Sequence, residues 1–424
     1  MKSAKVFRDY LLSVSKKLLN IVKWIFFGVV AGVLVGAVSS LFAILIVKAT
    51  GFRAEHPNIL FALPLAGLFI IFMYHRTGVP QPKGTNLVLT AIHEGSRLPV
   101  VMAPLIFVSS VITHLFGGSA GREGAALQIG GSLGNTIGRI LHFKGEDRRQ
   151  VIMCGMSASF SALFGTPLAA AVLPMEISTV GILYYSALVP CAIASLTAHF
   201  VAKAMHVSEA STKITSVPGF TVRNAFITLG LSIAASMVSI LFCVAMHKTK
   251  SLLGTYFKNA YLRIVVSGCL IILMTLLVGS QTYNGTGSQI IAACITDPKV
   301  SLPLFAFLLK ILFTAVTLSG GYQGGEIVPS LFIGATFGVA FATITHVNMP
   351  LAAAIGMTCV FCGVTNCPLA ALLISFEMFG FEAAPYFLMA VAITHTFSGN
   401  FGIYHTQKIY FSKYEPSIVD RYTH

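Results

Sequence analysis

The chain has 424 residues, of which 55% are hydrophobic and only 10% charged, and its mean hydropathy is +0.82. A water-soluble domain carries about 25% charged residues, so this composition excludes a soluble protein and describes an integral membrane one. The formal net charge of +14 does not signal nucleic acid, because its basic residues cluster where a membrane protein keeps them.

In chain order, segment 1–19 carries Lys2, Lys5, Arg8, Lys16 and Lys17 and reads as cytoplasmic. It has no small-residue cleavage site after a short apolar run, so no removable signal peptide is expected. Residues 20–47 are long enough to cross roughly 30 Å of hydrocarbon and form the predicted first spanning helix. Comparable apolar segments follow at 59–74, 225–246, 264–278, 302–318 and 383–398. Stretches 124–142 and 149–165 are interrupted by Gly or Pro and read as too short or too broken to span cleanly. Ends of such helices must be buried in protein or line a watery cavity, a trait of transporters. Basic residues recur in the connection at Lys144, Arg148 and Arg149 and near the C-terminus at Lys408, Lys413 and Arg421. With the N-terminal cluster, they predict both termini on the cytoplasmic side of a bacterial inner membrane. The eight cysteines lie almost entirely in apolar segments. Cys359-x-x-Cys362 has no partner pair, so these residues read as small buried hydrophobes. The twelve histidines show no metal-ligand spacing. No nucleophile, acid–base pair or metal cluster points to an enzyme, and no metal, nucleotide or other cofactor is expected.

The chain repeats itself. GVPQPKGTN (78–86) matches GSQTYNGTG (279–287), GGSAGRE (117–123) matches GGYQGGE (320–326), and PLAAAVLPME (167–176) matches PLAALLISFE (368–377). Three matches in one order at an offset of about 200 residues divide the chain into a first membrane repeat (20–205), a linker (206–224), a second repeat (225–405) and a short tail (406–424). Whether the repeats are parallel or inverted depends on the number of crossings per half, which broken helices leave open. In each half a glycine-rich turn leads into an apolar helix. Such turns point backbone N–H groups at a ligand and add the positive end of a helix, so the two could converge on one anion near mid-membrane.

Four carboxylates, Glu123, Glu176, Glu326 and Glu377, lie in apolar sequence, where an ionisable group marks an ion or proton path unless it caps a helix or pairs with a base. Glu176 and Glu377 each end an apolar run at the same distance from a Pro-Leu-Ala-Ala start, so either reading stands for them. Glu123 and Glu326 sit in the equivalent glycine-rich turns. A carboxylate there can fill the anion site when ionised and vacate it when protonated, which couples proton to anion. Arg122 would lower the cost of the charge on Glu123. Lys310 either lines the anion path or snorkels to an interface.

These motifs resemble the CLC family of anion channels and anion/proton antiporters, over about residues 20–410. GREGA (121–125) resembles the element whose glutamate is the external proton and anion gate, which implies that role for Glu123. GGEIVP (324–329) is similar to the second-half turn whose backbone amides contact the anion. GTNLV (84–88) is similar to the turn whose serine contacts the central anion, and GNFGIYHT (399–406) places Tyr404 at the tyrosine closing that site from inside. The backbone contacts so implied are Gly121, Arg122 and Gly124 in the first turn and Gly325, Ile327 and Val328 in the second. The resemblance also implies an all-α membrane fold of two inverted repeats with many tilted and broken helices, assembled as a homodimer with one pathway per subunit. With only a short tail after Tyr404, no cytoplasmic regulatory domain is expected.

Three departures matter. Thr85-Asn86-Leu87-Val88 replaces the family's Ser-Gly-Ile-Pro, Glu326 and Ile327 replace apolar residues of the second turn, and Ile177 stands where chloride/proton antiporters carry an internal proton-transfer glutamate. Together they resemble the fluoride-exporting branch, and so imply proton-coupled fluoride export. The alternatives are a chloride/proton antiporter with an unusual central site and a passive anion channel. Fluoride is a small, strong hydrogen-bond acceptor, suited by Thr85, Asn86, the Tyr404 hydroxyl and a protonated Glu326 as pathway donors. Asn86 could instead use its side chain in a local turn or cap.

Overall fold

The computed structural model describes residues 2–79, 84–95, 98–207 and 212–424, the side chains of 2–9, 11 and 12 excepted. The side chains of Lys2, Lys5 and Arg8, residues 80–83 of the first repeat motif and linker residues 208–211, with Glu209, therefore lie outside the described residues. Among the described residues, sixteen α-helices carry the fold. The first eight are α1 (Lys2–Glu55), α2 (Leu63–Arg76), α3 (Thr85–Glu94), α4 (Met102–Leu115), α5 (Glu123–Ile140), α6 (Asp147–Phe164), α7 (Pro167–Ile177) and α8 (Leu188–Ala204). Then come α9 (Val222–Tyr256), α10 (Ala260–Val278), α11 (Ser288–Thr296), α12 (Ala306–Gly320), α13 (Ile327–Thr345), α14 (Met349–Thr365), α15 (Pro368–Phe379) and α16 (Ala384–Phe397). Each helix of the first set has its counterpart about 200 residues on, so the repetition seen in three motifs extends through both halves.

Helix α1 runs through the segment expected as a separate N-terminal piece, because no proline precedes Pro57. Six helical stretches among the described residues are long and apolar enough to cross a membrane. Phe26, Leu65, Phe226 and Leu277 point outward from them, an apolar surface suited to lipid and a liability in water. Several other helices are too short: at 1.5 Å per residue, the nine residues of α11 and the ten of α3 end well inside a bilayer, and their polar ends must be met by protein.

Two helices differ from expectation. Both α5 and α6 are continuous over 18 residues; their glycines are contact points rather than breaks. A Cβ on Gly130 would fall 2.3 Å from the Gly155 carbonyl oxygen, and one on Gly155 would fall 2.1 Å from that of Gly130. The second half repeats the contact: Gly334 and Gly356 approach each other's carbonyl oxygens at 2.3 and 2.2 Å by the same measure. Small residues at a crossing let backbones touch where no hydrophobic drive exists between lipid-embedded helices.

Glu176 and Glu377 turn out to cap helices, each serving the opposite half. Glu377 accepts hydrogen bonds from the Leu168 and Ala169 amides (2.8 and 2.9 Å) at the start of α7. Glu176 accepts from the Leu369 and Ala370 amides (2.9 and 2.8 Å) at the start of α15. Each helix thus ends at the other's beginning, so α7 and α15 run antiparallel about a pseudo-two-fold axis, the relation of inverted repeats. Helix N-termini have unpaired N–H groups and positive potential, and a carboxylate answers both.

The tail adds an element the sequence did not suggest. Strands β1 (Thr179–Val180), β2 (Lys408–Phe411) and β3 (Ile418–Tyr422) form a small sheet in that order, the first pair parallel and the second antiparallel. The linker is pinned as well: Thr212 N–H donates to the Met378 carbonyl (2.9 Å), and the Tyr386 hydroxyl reaches the carbonyls of Pro218 and Gly219 (3.0 and 2.9 Å). All eight cysteines are free thiols, and Cys359 and Cys362 are buried among apolar neighbours.

Candidate anion and proton pathway

The two glycine-rich turns meet. Gly121 N–H donates to the Gly325 carbonyl and Gly325 N–H to the Gly121 carbonyl, both at 2.7 Å, a reciprocal pair on the pseudo-two-fold. No side chain fits between them: a Cβ on Gly325 would lie 2.3 Å from the Gly124 nitrogen, and one on Gly121 would lie 2.9 Å from Pro329 Cδ. Helices α5 and α13 start from this junction, so their positive ends face the same small volume.

The junction corrects the expected set of anion-facing amides. Those of Gly121 and Gly325 are consumed by each other, and Arg122 N–H donates to Glu123 Oε2 (3.0 Å). The amides of Gly124, Ile327 and Val328 have no hydrogen-bond partner among the described residues, as first-turn amides do not unless something caps them.

The two gate candidates have different surroundings. Glu123, 2% exposed, is held by Arg122, whose Nε donates to Oε1 at 3.2 Å while Nη2 reaches the Leu163 carbonyl (3.3 Å). Both residues line a cavity of about 700 Å³. Glu326, the N-cap residue of α13, turns toward the other two helix starts. A Cβ built on Gly124 would lie 2.9 Å from its Oε2, and one on Gly84 would lie 3.8 Å from its Oε1. Its Oε2 is enclosed and has no hydrogen-bond partner among the described residues. The carboxylate thus sits where α3, α5 and α13 all begin.

Thr85 and Tyr404 complete this volume. Thr85, the first residue of α3, is fully buried, and its hydroxyl makes one long bond, 3.4 Å, to the Gly124 carbonyl. The Tyr404 ring is fully buried, with Thr85 and Glu326 as polar neighbours, and its hydroxyl has no partner among the described residues. Buried hydroxyls and carboxyl oxygens are usually paired, so two orphans facing three helix starts mark this volume as the candidate binding site. Asn86 serves partly as a tie: its Oδ1 accepts from the Thr406 amide (3.2 Å) and hydroxyl (3.0 Å). Its Nδ2 makes no hydrogen bond among the described residues, so a donor remains.

Lys310 belongs to neither expected role. It is fully buried and donates to the Tyr283 and Gly285 carbonyls (3.1 and 2.7 Å), tying down the loop before α11. Ile177, fully buried at the end of α7, offers no proton-carrying group, and its carbonyl accepts from Gln407 (2.9 Å). Sequence reasoning missed Arg53, Thr406 and Gln407. Only the adjacency of Thr406 and Gln407 to Tyr404 could have flagged the latter two, and Arg53 lies in α1, far from every motif.

Comparison with known proteins gives the family and the fold. The family model described as voltage gated chloride channel matches residues 66–399. A "Chloride/fluoride channel protein" of Pseudomonas syringae pv. tomato is 34% identical over 398 residues, covering 93% of this chain and 88% of that one. An "H(+)/Cl(-) exchange transporter ClcA" of Yersinia pestis bv. Antiqua is 23% identical, over 74% of this chain and 68% of its own. Among solved structures, a CLC-type fluoride/proton antiporter superposes with TM-score 0.88 at 30% identity, covering 92% of this chain and 99% of that one. A slow cyanobacterial Cl-/H+ antiporter shares the fold at 18% identity and TM-score 0.75, over 88% and 94%. The chain belongs to the voltage gated chloride channel, or CLC, family of membrane transport proteins.

Proposed function

We propose that the protein exchanges fluoride for protons, inward proton movement driving fluoride out and so conferring fluoride resistance. One observation carries the reading: the Glu326 carboxylate stands in the pocket where α3, α5 and α13 all begin, with its Oε2 and the nearby Tyr404 hydroxyl both without a hydrogen bond among the described residues. Ionised, Glu326 is the occupant. Protonated, it no longer competes for the amides of Gly124, Ile327 and Val328, and its O–H becomes a donor to the ion that replaces it. Fluoride gives up a tight hydration shell to enter, so it needs several donors at once; Thr85, Tyr404, the Asn86 amide and the protonated acid supply them, and bonds to an ion are the strong kind. Glu123 then passes the proton between this pocket and the cavity, its charged form steadied by Arg122.

The similarity to a solved fluoride/proton antiporter and to a chloride/fluoride channel protein supports the choice of ion. Chloride/proton exchange is the alternative favoured by the more distant relatives; the apolar Ile177 disfavours it, since that route needs an internal acid. Orientation follows from charge. Lys23, paired with Asp147 (2.5 Å), sits near the basic connection 144–149, and Arg53, thirty residues along α1, lines the cavity, about 45 Å away at helical rise. The basic end faces the cytoplasm of a bacterial inner membrane, and the cavity with Glu123 opens outside. The working unit is a homodimer with a pathway in each subunit.

The test is purified protein in liposomes with fluoride, chloride and proton fluxes followed together. A fluoride gradient is expected to drive protons uphill, with chloride a poor substitute. Chloride moving as readily as fluoride would remove the selectivity, and fluoride flux without uphill proton movement would remove the coupling.

A further inference from the structure

Arg53 is 7% exposed and lines the large cavity above Glu123. Its one hydrogen bond is from Nη1 to the His114 carbonyl (3.0 Å), and no carboxylate lies within ion-pair distance of it among the described residues. The guanidinium turns its Nη1–Nη2 edge toward Gly285, where a Cβ would fall 2.9 Å from both nitrogens and 3.3 Å from Cζ. The same loop holds a second buried cation, Lys310 of α12, which donates to the carbonyls of Tyr283 and Gly285. A buried cation without a counter-charge is costly, and among the described residues no acid pairs with Arg53.

The pseudo-two-fold explains what stands opposite. The turn before α11 is the counterpart of the turn before α3: Gly285 matches Gly84, with φ of 64° and 63°, and Thr286 matches Thr85. In the first half this turn delivers Thr85 and a helix start to the central pocket. In the second half it delivers Thr286, Gly287 and Ser288 to the wall of the cavity beside Arg53. The Thr286 hydroxyl there is held only by long bonds to Ser288 (3.3 and 3.4 Å).

We propose that Arg53, the Thr286 hydroxyl and the start of α11 form a second anion site, a waiting position in the cavity separate from the central pocket. Its ligand class is the small inorganic monoanion. At about 700 Å³, the cavity sets no narrow size limit, so this site holds anions by charge, and selection falls to the central pocket beyond Glu123. The site raises the local anion concentration at the gate and rests on the anion-transport reading for its purpose.

Two measurements on the full-length protein test it. Wild-type crystals soaked in bromide are expected to show anomalous density beside Arg53, and crystals of Arg53→Gln none. In liposomes, Arg53→Gln keeps a donor for the His114 carbonyl but loses the charge. Its KM for fluoride should rise about three- to tenfold from the cavity face only, with maximal rate and proton-to-fluoride ratio unchanged. Arg53→Lys should stay within about twofold of wild type, because it restores the charge. Absence of bromide beside Arg53, or an unchanged KM in Arg53→Gln, overturns the site. If Arg53→Gln fails to fold, the wild-type soak and the KM of Thr286→Val decide. Were the wild type to carry no fluoride, the transport reading would fall, while the bromide position would still judge the site.

Discussion

Glu123 and Glu326 occupy equivalent turns, yet one is ion-paired and the other has no basic partner within bonding distance among the described residues. That asymmetry suits them to the different work proposed for each. Glu123, facing the cavity with Arg122 beside it, is placed to trade a proton with water. Replacing it by Gln leaves the shape and removes the titration, so uphill proton movement is expected to vanish in liposomes; persistent pumping would end its role as gate. Glu326→Gln keeps a donor in the pocket but cannot alternate between occupant and host, and fluoride turnover should fall about a hundredfold or more, the scale of losing a positioned proton-transfer group. Tyr404→Phe separates binding from folding. Its hydroxyl makes no hydrogen bond of normal geometry among the described residues, with Thr85 as a polar neighbour, so thermal stability should be nearly unchanged. Fluoride binding, read by titration calorimetry, should weaken by about 1.5–3 kcal/mol for the loss of one bond to an ion. A destabilised Tyr404→Phe protein with normal fluoride affinity would show that the hydroxyl is structural.

At the scale of helices, the exchange of Glu176 and Glu377 across the pseudo-two-fold is the clearest structural use of charge. Each carboxylate answers two amides of the opposite half, so removing either leaves two donors unpaired. Glu176→Ala and Glu377→Ala should each cost about 1–3 kcal/mol, more for Glu176, which is the better buried, as measured by thermal unfolding in detergent. Proton-to-fluoride coupling in the folded fraction should stay intact; lost coupling would return these residues to the proton path. The sequence already marked the two as equivalents, since their Pro-Leu-Ala-Ala frames match. It could not show that they swap partners, because capping and capped residues lie about 200 positions apart and nothing local links them. The glycines of α5 illustrate the opposite error. Read along one helix, Gly130 and Gly134 look like breaks; set against Gly155 of α6, they are the only side chains small enough for the crossing. The pocket itself was legible as a set of turns. The pairing of Gly121 with Gly325, which removes two amides from it, was not.

Across the whole molecule, the C-terminal tail closes over the segment that carries Tyr404 and over the start of α3. The Tyr404 carbonyl accepts from the Thr423 hydroxyl (2.7 Å), Thr406 bonds Asn86 at the start of α3, and β2 pairs with both β1 and β3. Strands of four and five residues with mixed polarity leave no pattern strong enough to read in sequence, which is why this closure was unforeseen. Gln407 is the joint. Fully buried, it donates to the carbonyl of Ile177 in the first half (2.9 Å) and of Thr365 in the second (2.7 Å), while its Oε1 accepts from Asn366 (3.0 Å). One side chain therefore fixes Tyr404 relative to both repeats. Gln407→Leu, similar in size, leaves the Ile177 carbonyl unpaired, at a cost of about 1–3 kcal/mol for a group that water cannot reach. It also takes one bond each from the Thr365 carbonyl, which keeps the Cys367 thiol (3.3 Å), and the Asn366 amide, which keeps the Phe401 carbonyl (3.0 Å). The expected result is a lower melting temperature together with weaker fluoride binding, although residue 407 never touches the pocket. Gln407→Glu, which retains the acceptor for Asn366 but sets a carboxylate against two carbonyls, should be worse than Leu on both counts. Fluoride affinity unchanged in both variants would show that Tyr404 holds its position without the tail.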